Sequence, residues 1–318
     1  MTFQYNLIGD IAADPAGATL VLTHPREHAL SILDIDDPAG ASIIGLDSDP
    51  VAVGLAGGRA FVATTSASYD AVYVIDLETR NLVSAHPLDF NVTSVAVSPD
   101  GARVFAARTG RMRNDVAVVD TVTRAVQSIG IPSDDAAIID VIRAGDSGML
   151  YAGVSGARDG ELAVVDAAQG AVVATVPVGA PIRDVVLSPQ SSVVYVLAHH
   201  PRGAAAVIRI DAESNAIGDV VMVGGHATQL TVSPDGSWVH VVEPSGVTVI
   251  NATTHQVVDH IAIGGWPSCA ASCATGLYVA NYAGVLTGLP SATPMPSLDE
   301  ALQTLITDPG AALQPAAV

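Results

Sequence analysis

The sequence predicts an all-β chain folded as a seven-bladed β-propeller of four-stranded antiparallel blades, its ring closed by the N-terminal strand. Three observations carry that prediction. A strand ending in Asp or Asn recurs at a steady period, a Pro/Asp/Gly turn recurs in phase with it, and the final unit lacks one strand. Periods of about 40 to 45 residues are those of propeller blades.

The first marker is a short apolar run closed by an acid or amide. It appears as SILD at Asp34, VYVID at Asp76, VAVVD at Asp120, LAVVD at Asp166, VIRID at Asp211 and VTVIN at Asn251, at spacings of 42, 44, 46, 45 and 40. The second marker lies upstream each time: ADPAG at Pro15, GLAGG at Gly57, VSPDG at Pro99, RAGDSG at Gly148, LSPQS at Pro189 and VSPDG at Pro234. Between them, SVAVS, ARVFAAR, DVAVVD and AVQSIGI alternate with the period of two that strands show when one face is more buried than the other. Each unit therefore reads as strands A to D. SPDG closes the A–B hairpin, where Pro fixes φ and Gly accepts positive φ. Asp76 to Thr79 and Asp120 to Thr123 suit an Asx turn from strand C into D.

Six units are complete, at approximately 7–48, 49–90, 91–133, 134–180, 181–226 and 227–266. Residues 267–289 supply A, B and C of a seventh but no D. The extended segment TFQYN at the N-terminus can fill that place, which removes the open edges of an unclosed toroid. The propeller is thus expected over 1–289 and a tail over 290–318. In the tail, Ser297-Leu298-Asp299-Glu300 fits the S-x-x-E capping box, Leu298, Leu302 and Leu305 share a helical face, and Pro309-Gly310 ends the short helix.

Composition fits a folded chain with a large core: 49% of residues are hydrophobic and 14% charged. Mean hydropathy is +0.43, yet the Val and Ala that raise it come in short runs broken by Gly, Pro or Asp, well below the roughly 18 residues of a spanning helix. No membrane insertion is expected. A formal charge of -19 repels phosphate backbones, which excludes general nucleic-acid binding. All 13 basic residues are Arg, as codon bias in a GC-rich genome would produce. MTFQYNLIGD has no basic region followed by an apolar stretch, so the chain is expected to be cytoplasmic as given or exported with its leader removed. It is expected to be a monomer.

Cys269 and Cys273 lie four apart, which on a regular strand is about 13 Å, beyond the roughly 7 Å Cα limit for a disulfide. They pair only if the strand breaks between them. Two thiols alone do not make a zinc site, and they read as small buried hydrophobes.

VAVSPDGARVFAA with VAVVDTVTRAVQSIGI, and LAVVDAAQGAVVATVPVG, resemble the YVTN repeat family over about residues 7–289. The resemblance implies the propeller architecture. It is poor in functional information, because its residues are turn-formers and strand cores: similar propellers occur in surface-layer proteins, in lactonases and as domains of redox enzymes that hold their metals elsewhere. The second and fourth units lack SPDG and so depart from the family pattern.

In a propeller the D–A connections and B–C loops share one face around the central channel, where binding residues are expected. That face gathers Arg26, Arg108, Arg111, Arg113, Arg158, Arg183 and Arg202, seven of the 13 arginines, and His24, His28, His199, His200 and His226, five of the nine histidines. Arg suits bidentate contact with carboxylate or phosphate, and Trp266 before Pro267 is placed to stack on a ligand at the channel mouth. The same arginines could equally pair with Asp115, Asp159 or Glu27. His199, His200, His24, Glu243 and Asp70 are the set that a metal would need brought together, but no motif calls for a metal or another cofactor. The function expected is a non-catalytic interaction propeller that offers its loop face to a protein, glycan or anionic small molecule through Arg26, Arg108, Arg111, Arg113, Arg158, Arg183, Arg202, His199, His200, His226 and Trp266. The alternative is a lactonase-like hydrolase with a metal or an Arg/His cluster at the channel mouth.

Overall fold

A computed structural model of the chain describes residues 2–4, 7–14, 17, 19–89, 91–110, 113–134, 136–200 and 203–290. The helix predicted within 297–310 lies outside them. The first strand in the chain, β1 (Thr2–Gln4), belongs to the last blade. Blade 1 is β2 (Ile11–Ala13), β3 (Thr19–His24), β4 (Ala29–Asp34) and β5 (Asp37–Gly45). Blade 2 is β6 (Asp49–Ala56), β7 (Arg59–Thr65), β8 (Asp70–Asp76) and β9 (Asn81–Leu88). Blade 3 is β10 (Val92–Val97), β11 (Arg103–Thr109), β12 (Asn114–Asp120) and β13 (Val126–Ile131). Blade 4 is β14 (Ile138–Ala144), β15 (Met149–Ser155), β16 (Gly160–Asp166) and β17 (Ala171–Pro177). Blade 5 is β18 (Ile182–Leu187), β19 (Val193–His199), β20 (Ala205–Asp211) and β21 (Ile217–Val223). Blade 6 is β22 (Gln229–Val232), β23 (Trp238–Glu243), β24 (Gly246–Asn251) and β25 (Gln256–Ala262). Blade 7 is β26 (Pro267–Cys273), β27 (Gly276–Asn281) and β28 (Val285–Pro290), with β1 outermost.

Each blade is an antiparallel meander, and the predicted units match the observed ones to within a few residues. The ring closes as expected: β1 pairs with β28 through Thr2↔Thr287, Phe3↔Leu286 and Gln4↔Val285. Seven apolar clusters hold the toroid, each between two consecutive blades. Blade 2 meets blade 3 through Phe61, Val72 and Val104, for example, and blade 7 meets blade 1 through Cys269, Leu286 and Leu20. Strands B and C have both faces against neighbouring blades, which is why their sequences run continuously apolar; strands D, at the outer edge, are largely exposed.

The two sequence markers act as local hydrogen-bonding devices. In the A–B turn, Ser98 Oγ donates to Asp100 Oδ1 at 2.6 Å, and Asp100 Oδ1 accepts from Ala102 N at 3.0 Å. Gly101 then takes φ 68°, a value that costs an L-residue more. In the C–D turn, Asp120 Oδ1 accepts from Val122 N and Thr123 N at 3.0 and 2.7 Å, and Asp211 Oδ1 accepts from Ser214 N and Oγ at 2.8 and 2.7 Å. These donors hold both carboxyls below the usual carboxylate range.

Candidate functional site

Strands A line the central channel, and in five of the seven blades a β-bulge near the start of the strand shapes its wall. The extra residues are Val51, Thr93, Asp140, Arg183 and Ser268 in blades 2, 3, 4, 5 and 7. Gly9 and Thr228 stand at the same place in blades 1 and 6, their N–H groups donating to Thr23 and Val242 carbonyls. A bulge re-aims its side chain out of the sheet alternation, and here it creates a ring of seven residues around a cavity of about 500 Å3.

The ring's hydroxyls are largely committed to neighbouring strands. Thr93 Oγ1 donates to Ile139 O at 2.6 Å, Thr228 Oγ1 to Val242 O at 3.4 Å and Ser268 Oγ to Ala280 O at 3.2 Å. The charged members, Asp140 and Arg183, are side by side in adjacent blades. Burial pushes the Asp140 carboxyl up, offset in part by the Ser155 hydroxyl and by the Arg183 charge. Arg183 is exposed and makes no hydrogen bond or ion pair shorter than 4.0 Å with the described residues.

In four blades the residue after the ring position accepts a backbone N–H of the next blade and latches it. Asp10 Oδ2 accepts from Val53 N at 3.0 Å, Ser94 Oγ from Ile142 N at 3.3 Å, Asp184 Oδ2 from Leu230 N at 2.8 Å and Gln229 Oε1 from Ala270 N at 2.6 Å. Asp184 Oδ1 also accepts from Arg143 Nη2 at 2.9 Å, so the channel's second arginine is held by a buried carboxylate. Burial raises the carboxyls of Asp10 and Asp184 despite these donors.

Above the ring lies a rim, two residues earlier in each strand-A entry. There Asn91, His226 and Trp266 take φ of 68°, 65° and 61°. Asn tolerates this left-handed region; His and Trp do so at a steric cost. His226 is exposed, and the Trp266 indole is 69% exposed. Tyr282, in the B–C loop of the same blade, is also exposed, and its N–H donates to Trp266 O at 3.3 Å. Arg183, His226 and Trp266 thus stand on three successive blades at the channel mouth.

The remaining expected site residues are dispersed. Arg108 lies in β11 rather than in a loop and is buried, bonded to Asp115, Ser128 and Asp89. Arg113 is 72% exposed, 3.6 Å from Asp115 Oδ2. Arg26 and Arg158 are exposed on separate blades. His199 closes β19, with Nε2 2.6 Å from Ala227 O, and His200 is exposed beside it. Arg111 and Arg202 lie outside the described residues. His24 is bonded to Leu7 O and Ser31 Oγ, Glu243 Oε1 accepts from Gly224 N and Thr248 Oγ1, and Asp70 accepts from Ser66 N and Val92 N. Among the described residues no three His, Cys, Asp or Glu side chains converge as a metal site. Cys269 and Cys273 are unpaired, both buried on β26, and burial pushes the Cys269 thiol up. Among the described residues no helix is long and apolar enough to cross a membrane.

Sequence reasoning missed Asp140, Arg143 and Asp184. The available signal was a charge interrupting an apolar strand A, as in IIDVIRA and IRDVVL.

Solved propellers superpose on nearly the whole chain. Hydrazine synthase of Kuenenia stuttgartiensis matches at TM-score 0.79 with 18% identity, covering 91% of this chain and 97% of that one. The Cps50 (Swd1) β-propeller domain of Myceliophteria thermophila matches at 0.73 with 12% identity, covering 91% and 99%. Both show the fold alone. No family model matches the chain. Seven-bladed beta-propeller protein Rv1057 of Mycobacterium tuberculosis is 30% identical over 318 aligned positions, covering 88% of this chain and 81% of that protein. With that identity over most of both chains and the same blade count, the chain belongs to the family of seven-bladed β-propeller proteins that includes Rv1057.

Proposed function

We propose that this protein is a non-catalytic binding propeller, with repeats of the YVTN kind, whose channel mouth takes an anionic group of its partner through Arg183, His226 and Trp266. The observation that carries this reading is Trp266. An exposed indole in a left-handed backbone conformation gains nothing for the core and costs conformational energy, a combination found where a side chain is held out for contact. Arg183, the uncommitted guanidinium two blades away, supplies a fork suited to carboxylate. The lactonase-like alternative has no comparable support, since His24, His199, Glu243 and Asp70 are each bonded to their own neighbours.

The test uses Trp266 as reporter. Trp238, the second of two tryptophans, is replaced by Phe, and the emission of Trp266 is followed on titration with polyglutamate and with a uronic-acid oligosaccharide. The expected result is a salt-sensitive change with one of them that Arg183→Glu abolishes. No change with either, or a change indifferent to Arg183→Glu, overturns the reading.

A further inference from the structure

We infer that the upper channel is a site for a small zwitterion of the α-amino acid class, its ammonium held by Asp140 and its carboxylate by Arg183. The inference deepens the reading of the channel mouth as the binding face and rests on it.

Three features of the channel lead there. The first is which charges are already spent. Asp184 receives Leu230 N, Val185 N and Arg143 Nη2, and Asp10 receives Val53 N and Ile11 N. Those groups fasten blades to one another and to Arg143. Asp140, whose side-chain partner is the Ser155 hydroxyl, does not form a direct ion pair with Arg183, although the Arg183 charge acts on its carboxyl.

The second feature is their placement. Both are bulge residues, so both are set outside the in-and-out alternation of their strands, on adjacent blades and at one level of the ring. Both line the cavity, whose volume of about 500 Å3 falls in the roughly 300–1,000 Å3 range of small-molecule sites.

The third is chemical selection. A simple anion on Arg183 would sit in the field of Asp140, and a simple cation on Asp140 in that of Arg183. A ligand with an ammonium and a carboxylate on one carbon satisfies both, and leaves neither charge desolvated without a partner.

The experiment is isothermal titration of the full chain with each of the common amino acids, followed by the N-acetyl and the α-amide forms of any that bind. We expect at least one free amino acid to bind and each blocked form to bind at least about tenfold more weakly, which corresponds to about 1.4 kcal/mol. Asp140→Asn should erase the penalty for N-acetylation, and Arg183→Gln the penalty for amidation. If Asp140→Asn fails to fold, the blocked ligands carry the test alone. Binding of no amino acid, with the polyglutamate or uronate response of Trp266 intact, overturns the zwitterion site and leaves the anion-binding face standing. Equal binding of free and N-acetylated forms overturns it also, because Asp140 then reads nothing.

Discussion

Arg108 and Asp115 sit directly opposite one another in β11 and β12 and form a two-pronged pair inside the blade, Nε to Oδ1 and Nη2 to Oδ2, both at 2.8 Å. Their side chains are 7% and 5% exposed. Removing one partner of such a pair strands a buried charge, at a cost of about 3–5 kcal/mol. Arg108→Ala should therefore lower stability by about that amount in urea unfolding, whereas Arg113→Gln, five residues on, mostly solvated and only 3.6 Å from Asp115, should cost no more than about 1 kcal/mol. Equal, small effects at both positions would show that the pair does not hold the blade.

Blade 7 depends on a strand from the other end of the chain. Deleting residues 2–4 would leave β28, the third strand of blade 7, as that blade's uncovered outer edge. The expected outcome is a lower thermal midpoint together with concentration-dependent association, because an unpaired edge offers its N–H and C=O groups to another chain. Light scattering of the truncated protein reads this. A monomer with an unchanged midpoint would mean that the closure contributes little.

The architecture was legible because its signals are local. Asp76, Asp120, Asp166 and Asp211 cap C–D turns with their own side chains, and the missing fourth strand of the last unit required only counting. The cysteines also followed from strand geometry, since both stay on the unbroken β26. The site was less legible, for a physical reason. A bulge shifts side-chain alternation by one residue without changing composition, so nothing in IIDVIRA announces that Asp140 turns into the channel while Val141 faces the next blade. Arg108 was misplaced as a loop residue for a related reason. The run RTGRMRND looks like one polar loop, but β11 continues through Thr109 and β12 begins at Asn114. The position of Trp266 and His226 before strand A follows from blade order; their left-handed backbone does not.

At the rim, contact and stability should trade against each other. Trp266→Gly removes an exposed side chain and relieves a φ of 61°. Release of left-handed strain, about 1–2 kcal/mol, is offset by the extra freedom glycine gives the unfolded chain, about 0.4–1 kcal/mol. The variant should thus keep a midpoint at or slightly above that of the parent while losing its response to the anionic probes. Phe61→Ala, in the core between blades 2 and 3, should by contrast cost about 3–5 kcal/mol. A marked loss of stability in Trp266→Gly would make the indole a packing residue.

His240 predicts how the protein responds to acid. It lies on β23 opposite Thr231 and Val249, nearly buried, and its Nδ1 has no hydrogen-bond partner. Burial disfavours the imidazolium and lowers the folded-state pKa from 6.5 to about 4. The unfolded chain therefore takes up a proton below about pH 6.5 that the folded chain refuses until about 4. The contribution is fully present above 6.5, declines as pH falls between those values and then levels off. His24 and His86 shift in the same direction, also through burial, whereas Asp10, Asp140 and Asp184 are raised and act in the opposite sense. The wild-type slope alone is thus a sum of opposing groups. Subtracting a His240→Val series isolates one of them: the stability of wild type relative to the variant should fall by about 3 kcal/mol from pH 7 to pH 4. A difference independent of pH would mean that the imidazole is charged, or solvated, in the folded blade.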